Sequence, residues 1–173
     1  MQDRHRNPLS AAIREALQQG RELLDHLSDE IYSQTMPPIF NFGIGSHFRH
    51  LLDFHTAFLN GLKIGCIDYD TRERDETLEK DRRRTLAKID WLIADLRALE
   101  LTDKDLPLLV RLEDEACEAS TWSQSTLLRE VQFLQSHTVH HYAMIALMLK
   151  LQGVAVNENF GVAISTLKQW RAA

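Results

Sequence analysis

The sequence predicts an all-α protein: a four-helix bundle with a long crossover between the third and fourth helices and a short C-terminal segment. Three observations lead there. Glycine and proline number only 7 and 4 in 173 residues, too few to punctuate a chain of many short strands. Apolar residues recur at the helical repeat through most of the chain, as in Ile13, Leu17, Leu24, Leu27 and Ile31, or Leu86, Ile89, Leu92, Ile93 and Leu96. No internal repeat or low-complexity segment breaks that pattern. The length suits a single domain over residues 1–173, large enough to bury a core.

Composition narrows the function classes. A hydrophobic content of 44%, a charged content of 26% and a net charge of -5 describe an ordinary globule, and the acidic balance argues against nucleic acid as a partner. Cys66 and Cys117 have no CxxC spacing, so neither a disulfide framework nor a zinc knuckle is expected. The first residues lack an apolar signal core, and no stretch reaches the ~18 apolar residues that a membrane span requires. A reducing, cytoplasmic setting is expected.

The first helix is expected from about Ser10, a candidate N-cap, to near Ser33, with His26 off its apolar stripe. TMPPIFNFGIG follows, where Pro37 and Pro38 forbid helix and Gly43 and Gly45 permit tight turns. The second helix covers roughly Ser46 to Leu62 and contains HFRHLLDFH, three histidines in nine residues. His50 and Asp53 are i, i+3 neighbours and read equally as a ligand with its outer carboxylate or as a surface pair. On the apolar pattern alone His47 and His55 point further inward than His50, so the cluster stays open between a solvated face and a metal site.

The segment from Lys63 to Thr77 is dense in charge and reads as a loop. Tyr69, Arg72 and Arg74 are candidates there to hold an anionic group, since arginine presents a planar donor fork. The third helix is expected from about Leu78 to Leu99, with DRRR at 81–84 on its wet face. Residues 101–124 are the least helical part, with Pro107, a short candidate strand LLVRLE and acidic residues at 113–118; a crossover this long is expected to face a ligand or partner. The fourth helix is capped by Ser125 or Thr126 and ends near Gly153, and FGVAISTLKQW is expected to pack back through Trp170.

The fourth helix carries the strongest chemical signal, SHTVHHYAMIALMLK. His137 and His141, four residues apart, fall on one face in line with Phe133, Met144, Ile145 and Met148. Two imidazoles on one apolar stripe each bring a nitrogen that needs a donor or a metal. The i, i+4 spacing lets both nitrogens converge on one divalent ion. His140, roughly 60° round the wheel, reads as an outer partner or a surface residue.

Together, four long helices, GSHFRHLLDFH on the second and HTVHH on the fourth resemble the DinB-like (YfiT-like) metalloprotein superfamily over nearly the whole chain. The resemblance implies a four-helix bundle that often dimerises, so a homodimer is expected. It implies Zn, Ni or Fe held by three imidazoles plus water. Carried onto this sequence, the metal ligands are His50, His137 and His141, with His55 at the mouth of the site. An additional His47, one turn before His50, departs from the pattern and leaves either imidazole as the first ligand. Members of the family include thiol-dependent transferases using mycothiol or bacillithiol, a maleylpyruvate isomerase and hydrolase-like proteins. The resulting expectation is a metal-dependent enzyme activating a small thiol or water, with His55 or Asp53 assisting proton transfer and Tyr69 and Arg72 binding substrate. The competing expectation is a noncatalytic, stress-related dimeric bundle with a structural metal or none.

Overall fold

The computed structural model describes residues 8–98, 105–111 and 122–172. Their order is α1 (Pro8–His26), α2 (Asp29–Ser33), α3 (Ile44–Leu62), β1 (Cys66–Asp68), a 3₁₀ turn (Glu76–Glu79), α4 (Arg82–Ala98), β2 (Pro107–Arg111), β3 (Ser123–Thr126), α5 (Leu127–Leu151) and α6 (Ile164–Ala172). Helices dominate, and the four long ones pack in a closed circuit: α1 and α3 each contact both α4 and α5. Among the described residues, no helix is long and apolar enough to cross a membrane.

The core lies between these helices. Ile13, Leu17 and Leu24 of α1 meet Phe48, Leu51 and Phe58 of α3, Ile89 and Leu92 of α4, and Leu134, Ile145 and Met148 of α5, all essentially inaccessible to water. Helix α5 starts where Thr126 Oγ1 accepts the backbone N–H of Arg129 (3.3 Å), satisfying an end donor the helix cannot pair itself. It stops at Gly153, which takes φ +74° while the Val154 N–H reaches back to the Leu149 carbonyl (2.9 Å). A glycine tolerates that left-handed turn without a Cβ penalty.

The structure corrects three expectations. The chain is not all-α: β1, β2 and β3 form a three-stranded sheet in that order, β1 parallel to β2 (Cys66 opposite Leu109) and β2 antiparallel to β3 (Pro107 opposite Thr126). It is built from the connection after α3 and the crossover after α4, and the backbone groups of both would otherwise need water as partner. Next, Ser10 lies inside α1, and the expected first helix divides at Leu27 and Ser28, whose Oγ caps α2 by accepting from the Ile31 N–H (3.2 Å). Finally, Trp170 is 56% exposed and α6 buries no residue; Phe160 packs back instead, stacked on Tyr142 at 4.5 Å between ring centres. The acidic residues at 113–118 and Cys117 lie outside the described residues.

Candidate metal centre

The site forms where α3 crosses α5. Along α3, His47, His50 and Phe54 face α5; along α5, Phe133, His137 and His141 face back. Both pairs His50/Phe54 and Phe133/His137 are spaced i, i+4, so each helix lays an imidazole and a phenyl ring along the shared seam. Phe54 lies 4.6 Å from the His137 ring and 4.9 Å from that of His50, and Phe133 stacks on His137 with planes 10° apart.

Three imidazole nitrogens converge there. Nε2 of His137 lies 3.2 Å from Nε2 of His50 and 3.1 Å from Nε2 of His141. One ligand atom from each of the three lies within 4.8 Å of the others, and among the described residues no fourth His, Cys, Asp or Glu joins that cluster. The spacing matches a shared ion: ligands at ~2.0–2.1 Å from a tetrahedral zinc stand about 3.3 Å from one another.

The electrostatics point the same way. Burial, reinforced by His137 and then by Arg72, pushes His50 down to about 4. Burial, with His140 and Arg72, takes His137 to about 4 as well. His141 falls to about 3 through burial and the surrounding histidines. The protein therefore holds three neutral rings, and a neutral imidazole is the form that ligates metal. Nε2 atoms 3.1 and 3.2 Å apart suit either a hydrogen bond, with one ring carrying its proton there, or lone pairs turned to one shared cation. The donor set fits a divalent metal.

The other expected site residues are placed as follows. His47 is half-buried, with Nδ1 3.0 Å from Nδ1 of His141 and outside the three-histidine cluster. His55 is corrected: it is 1% exposed rather than at a mouth, its Nδ1–H donates to the Leu51 carbonyl (2.7 Å), and its Nε2 has no hydrogen-bond partner among the described residues. Asp53 is buried and paired with Arg49 (3.3 Å), which also bonds Glu79 (3.0 Å). Burial raises the Asp53 pKa against the pull of Arg49. Arg72 lies beside the histidines: its guanidinium stands 4.4 Å over the Phe54 ring and donates to the Tyr69 carbonyl (2.5 Å). Tyr69 is buried, and its hydroxyl donates to Glu130 (3.0 Å). Burial beside that carboxylate pushes the phenol well above its usual pKa.

Phe54 and Glu130 were not singled out from the sequence. Phe54 had a signal, its i, i+4 spacing from His50. Glu130 had none, because its partners Tyr69 and Ser125 come from distant or non-helical segments. A cleft of about 250 Å³ lies alongside, lined by Tyr69, Val110, Ser125, Arg129, Glu130 and Phe133 among others.

Comparison with known proteins bears on this arrangement. A family model described as the DinB family matches residues 1–170. This chain belongs to the DinB family. The DinB-family chain is also similar to a protein named FK506-binding protein 5 from Rhizopus delemar, at 31% identity over 109 residues. The match takes in 61% of this chain and 28% of that protein, so the chain spans less than a third of that relative's length.

Proposed function

We propose that this DinB-family protein binds one divalent metal ion through His50, His137 and His141, and that it is a metal-dependent enzyme of the thiol S-transferase or hydrolase type. The observation that carries the metal site is the convergence of three neutral Nε2 atoms from two facing helices. The catalytic part draws support from the count of ligands. Three protein ligands leave a coordination position for water or substrate, as catalytic zinc sites do, whereas structural sites take four.

An ion held there would supply a positive charge that favours the deprotonated, nucleophilic form of a small thiol or of water at neutral pH. The chain's own residues supply binding and shape. Arg72, half-buried and stacked on Phe54, whose ring lies 4.6 Å from that of His137, places a cation beside the histidines and suits a carboxylate or other anionic group of the substrate. Tyr69 contributes its ring and not its hydroxyl, which Glu130 holds; with Phe133 it lines the cleft that would take the substrate's body. Asp53 anchors Arg49. His55, sealed from solvent, cannot exchange a proton with a substrate in this conformation. On this reading the four long helices form the DinB-type bundle, and the protein works as a cytoplasmic homodimer on a small molecule.

The test begins with elemental analysis of protein purified without a nickel column, followed by calorimetric titration with Zn and Ni. One ion per chain is expected, and His137→Ala and His141→Ala should each abolish stoichiometric binding. Unchanged affinity in both variants would refute the site. A bound ion with four protein ligands would leave the noncatalytic scaffold standing in place of the enzyme.

A further inference from the structure

Helix α3 carries three histidines, of which the centre uses one as a ligand. We propose that His47 is a positioning residue: its Nδ1 accepts the Nδ1–H of His141, fixing His141 in the tautomer whose Nε2 lone pair faces His50 and His137. The inference rests on the metal-binding reading above and adds to it the outer partner of one ligand.

Proton bookkeeping leads to it. A neutral imidazole has a single N–H, so a histidine that offers Nε2 to an ion carries its proton on Nδ1. His141 directs Nε2 to His137 at 3.1 Å and Nδ1 to His47 Nδ1 at 3.0 Å. Two nitrogens at that separation need one donor and one acceptor. With His141 donating, His47 must accept through Nδ1 and keep its own proton on Nε2. The reverse arrangement would place the His141 proton on Nε2, inside the cluster, where it would block the lone pair that an ion needs. A single hydrogen bond therefore selects between a ligating and a non-ligating ring. Metal-bound histidines nearly always donate their second nitrogen to such a partner.

The same contact favours His50 over His47 as the α3 ligand. The His47 nitrogen nearest the site is occupied by His141, and His47 stands outside the cluster that His50 joins. His47 lies one turn from His50, so α3 delivers a ligand to the ion and an acceptor to a second ligand from the same face. Among the described residues, the hydrogen-bond partners of the His141 ring are His47 at Nδ1 and His137 at Nε2, so His47 is the acceptor available to its Nδ1 proton.

The experiment is a Co(II) titration of the full chain, read by calorimetry and by the visible spectrum, on wild type, His47→Leu, His47→Asn and His141→Ala. Asparagine places its side-chain oxygen close to where histidine Nδ1 stands, so it keeps an acceptor. His47→Leu is expected to bind one ion with about 10–100-fold lower affinity and an unshifted visible spectrum, while His47→Asn stays within about threefold of wild type. In Zn-loaded wild type, ¹⁵N NMR should find the His141 proton on Nδ1. The inference is overturned if His47→Leu binds as tightly as wild type, if His47→Asn is as weak as His47→Leu, or if the His141 proton is on Nε2. It is equally overturned if His47→Leu abolishes binding or shifts the spectrum, since His47 would then be a ligand. Failure of wild type to take up Co(II), Zn or Ni would instead bring down the metal reading itself, and this inference with it. Should His47→Leu fail to fold, the NMR result and His47→Asn still decide.

Discussion

An imidazole binds a metal only after losing its competing proton, and this site has removed that competition by burial. An ordinary histidine titrates near 6.5, so its affinity for an ion weakens below that pH. Here His50 and His137 lie at about 4 and His141 at about 3. The fold lowers each value relative to the unfolded chain, so the neutral form persists until the pH nears those values. Metal affinity is therefore expected to stay level from pH 8 to about 5 and to fall only as pH approaches 4. Calorimetry at pH 7, 6 and 5 checks this, and a tenfold or greater loss between pH 7 and 6 would contradict it. At this scale, much of the site was legible in the sequence. His137 and His141 announce themselves because a fixed i, i+4 spacing on an apolar stripe leaves little freedom in where the rings point. His50 and His47 could not be ranked that way, since a helical wheel gives a direction for Cβ and none for individual ring nitrogens. Nor could it show that Tyr69 spends its hydroxyl on Glu130, sixty-one residues away.

Elements are held in place by close approaches that a sequence pattern does not display. Gly45 is the case that matters for the site, because it lies in the first turn of α3 just before His47. A Cβ at Gly45 would overlap the Glu79 backbone carbonyl of the 3₁₀ turn and crowd the Tyr32 ring. In an exposed helix, Gly→Ala would gain up to about 1 kcal/mol from reduced chain freedom. Overpacking against a backbone that cannot rotate away costs typically about 1–3 kcal/mol, occasionally more. Gly45→Ala should therefore lower the thermal midpoint, whereas Asn60→Ala on the exposed side of the same helix should stay within about 0.5 kcal/mol of wild type. Equal midpoints for the two variants would show that α3 is not seated by this contact. The long helices themselves were readable, because a buried stripe repeated over 17–25 residues averages out local exceptions. The sheet was readable only at β2. β1 and β3 are three and four residues long, too short for a period of two to stand out: CID buries only its middle residue, Ile67, and SQST buries none. Their pairing depends on partners brought together by the fold, with Cys66 opposite Leu109 in a parallel ladder. The division of α1 from α2 did have a local sign in Ser28 followed by Asp29 and Glu30, a capping residue with acids in the next turn.

For the whole molecule, the centre is a long-range clasp. His50 and His47 on α3 meet residues 87 and 94 positions further along the chain, so an ion bound there would tie together two helices that only the complete fold brings into contact. An ion that binds the folded chain and not the unfolded one stabilises it by about 2.7 kcal/mol at a hundred times its dissociation constant. For a chain of this size each kcal/mol moves the midpoint by about 2–4 °C, so metal loading should raise it by about 5–11 °C. The metal-free comparison carries the sharper content. Without an ion the half-buried rings can pair with one another only through a proton moved onto an Nε2, so removing one of them costs at most such a hydrogen bond and some packing. His141→Ala should accordingly lose the metal-dependent rise while its metal-free midpoint stays close to that of metal-free wild type. Scanning calorimetry of both proteins, with Zn and with a chelator, separates the two effects. A rise that persists in His141→Ala would place the stabilising ion elsewhere on the chain. A metal-free midpoint many degrees below wild type would instead make His141 a packing residue first and a ligand second.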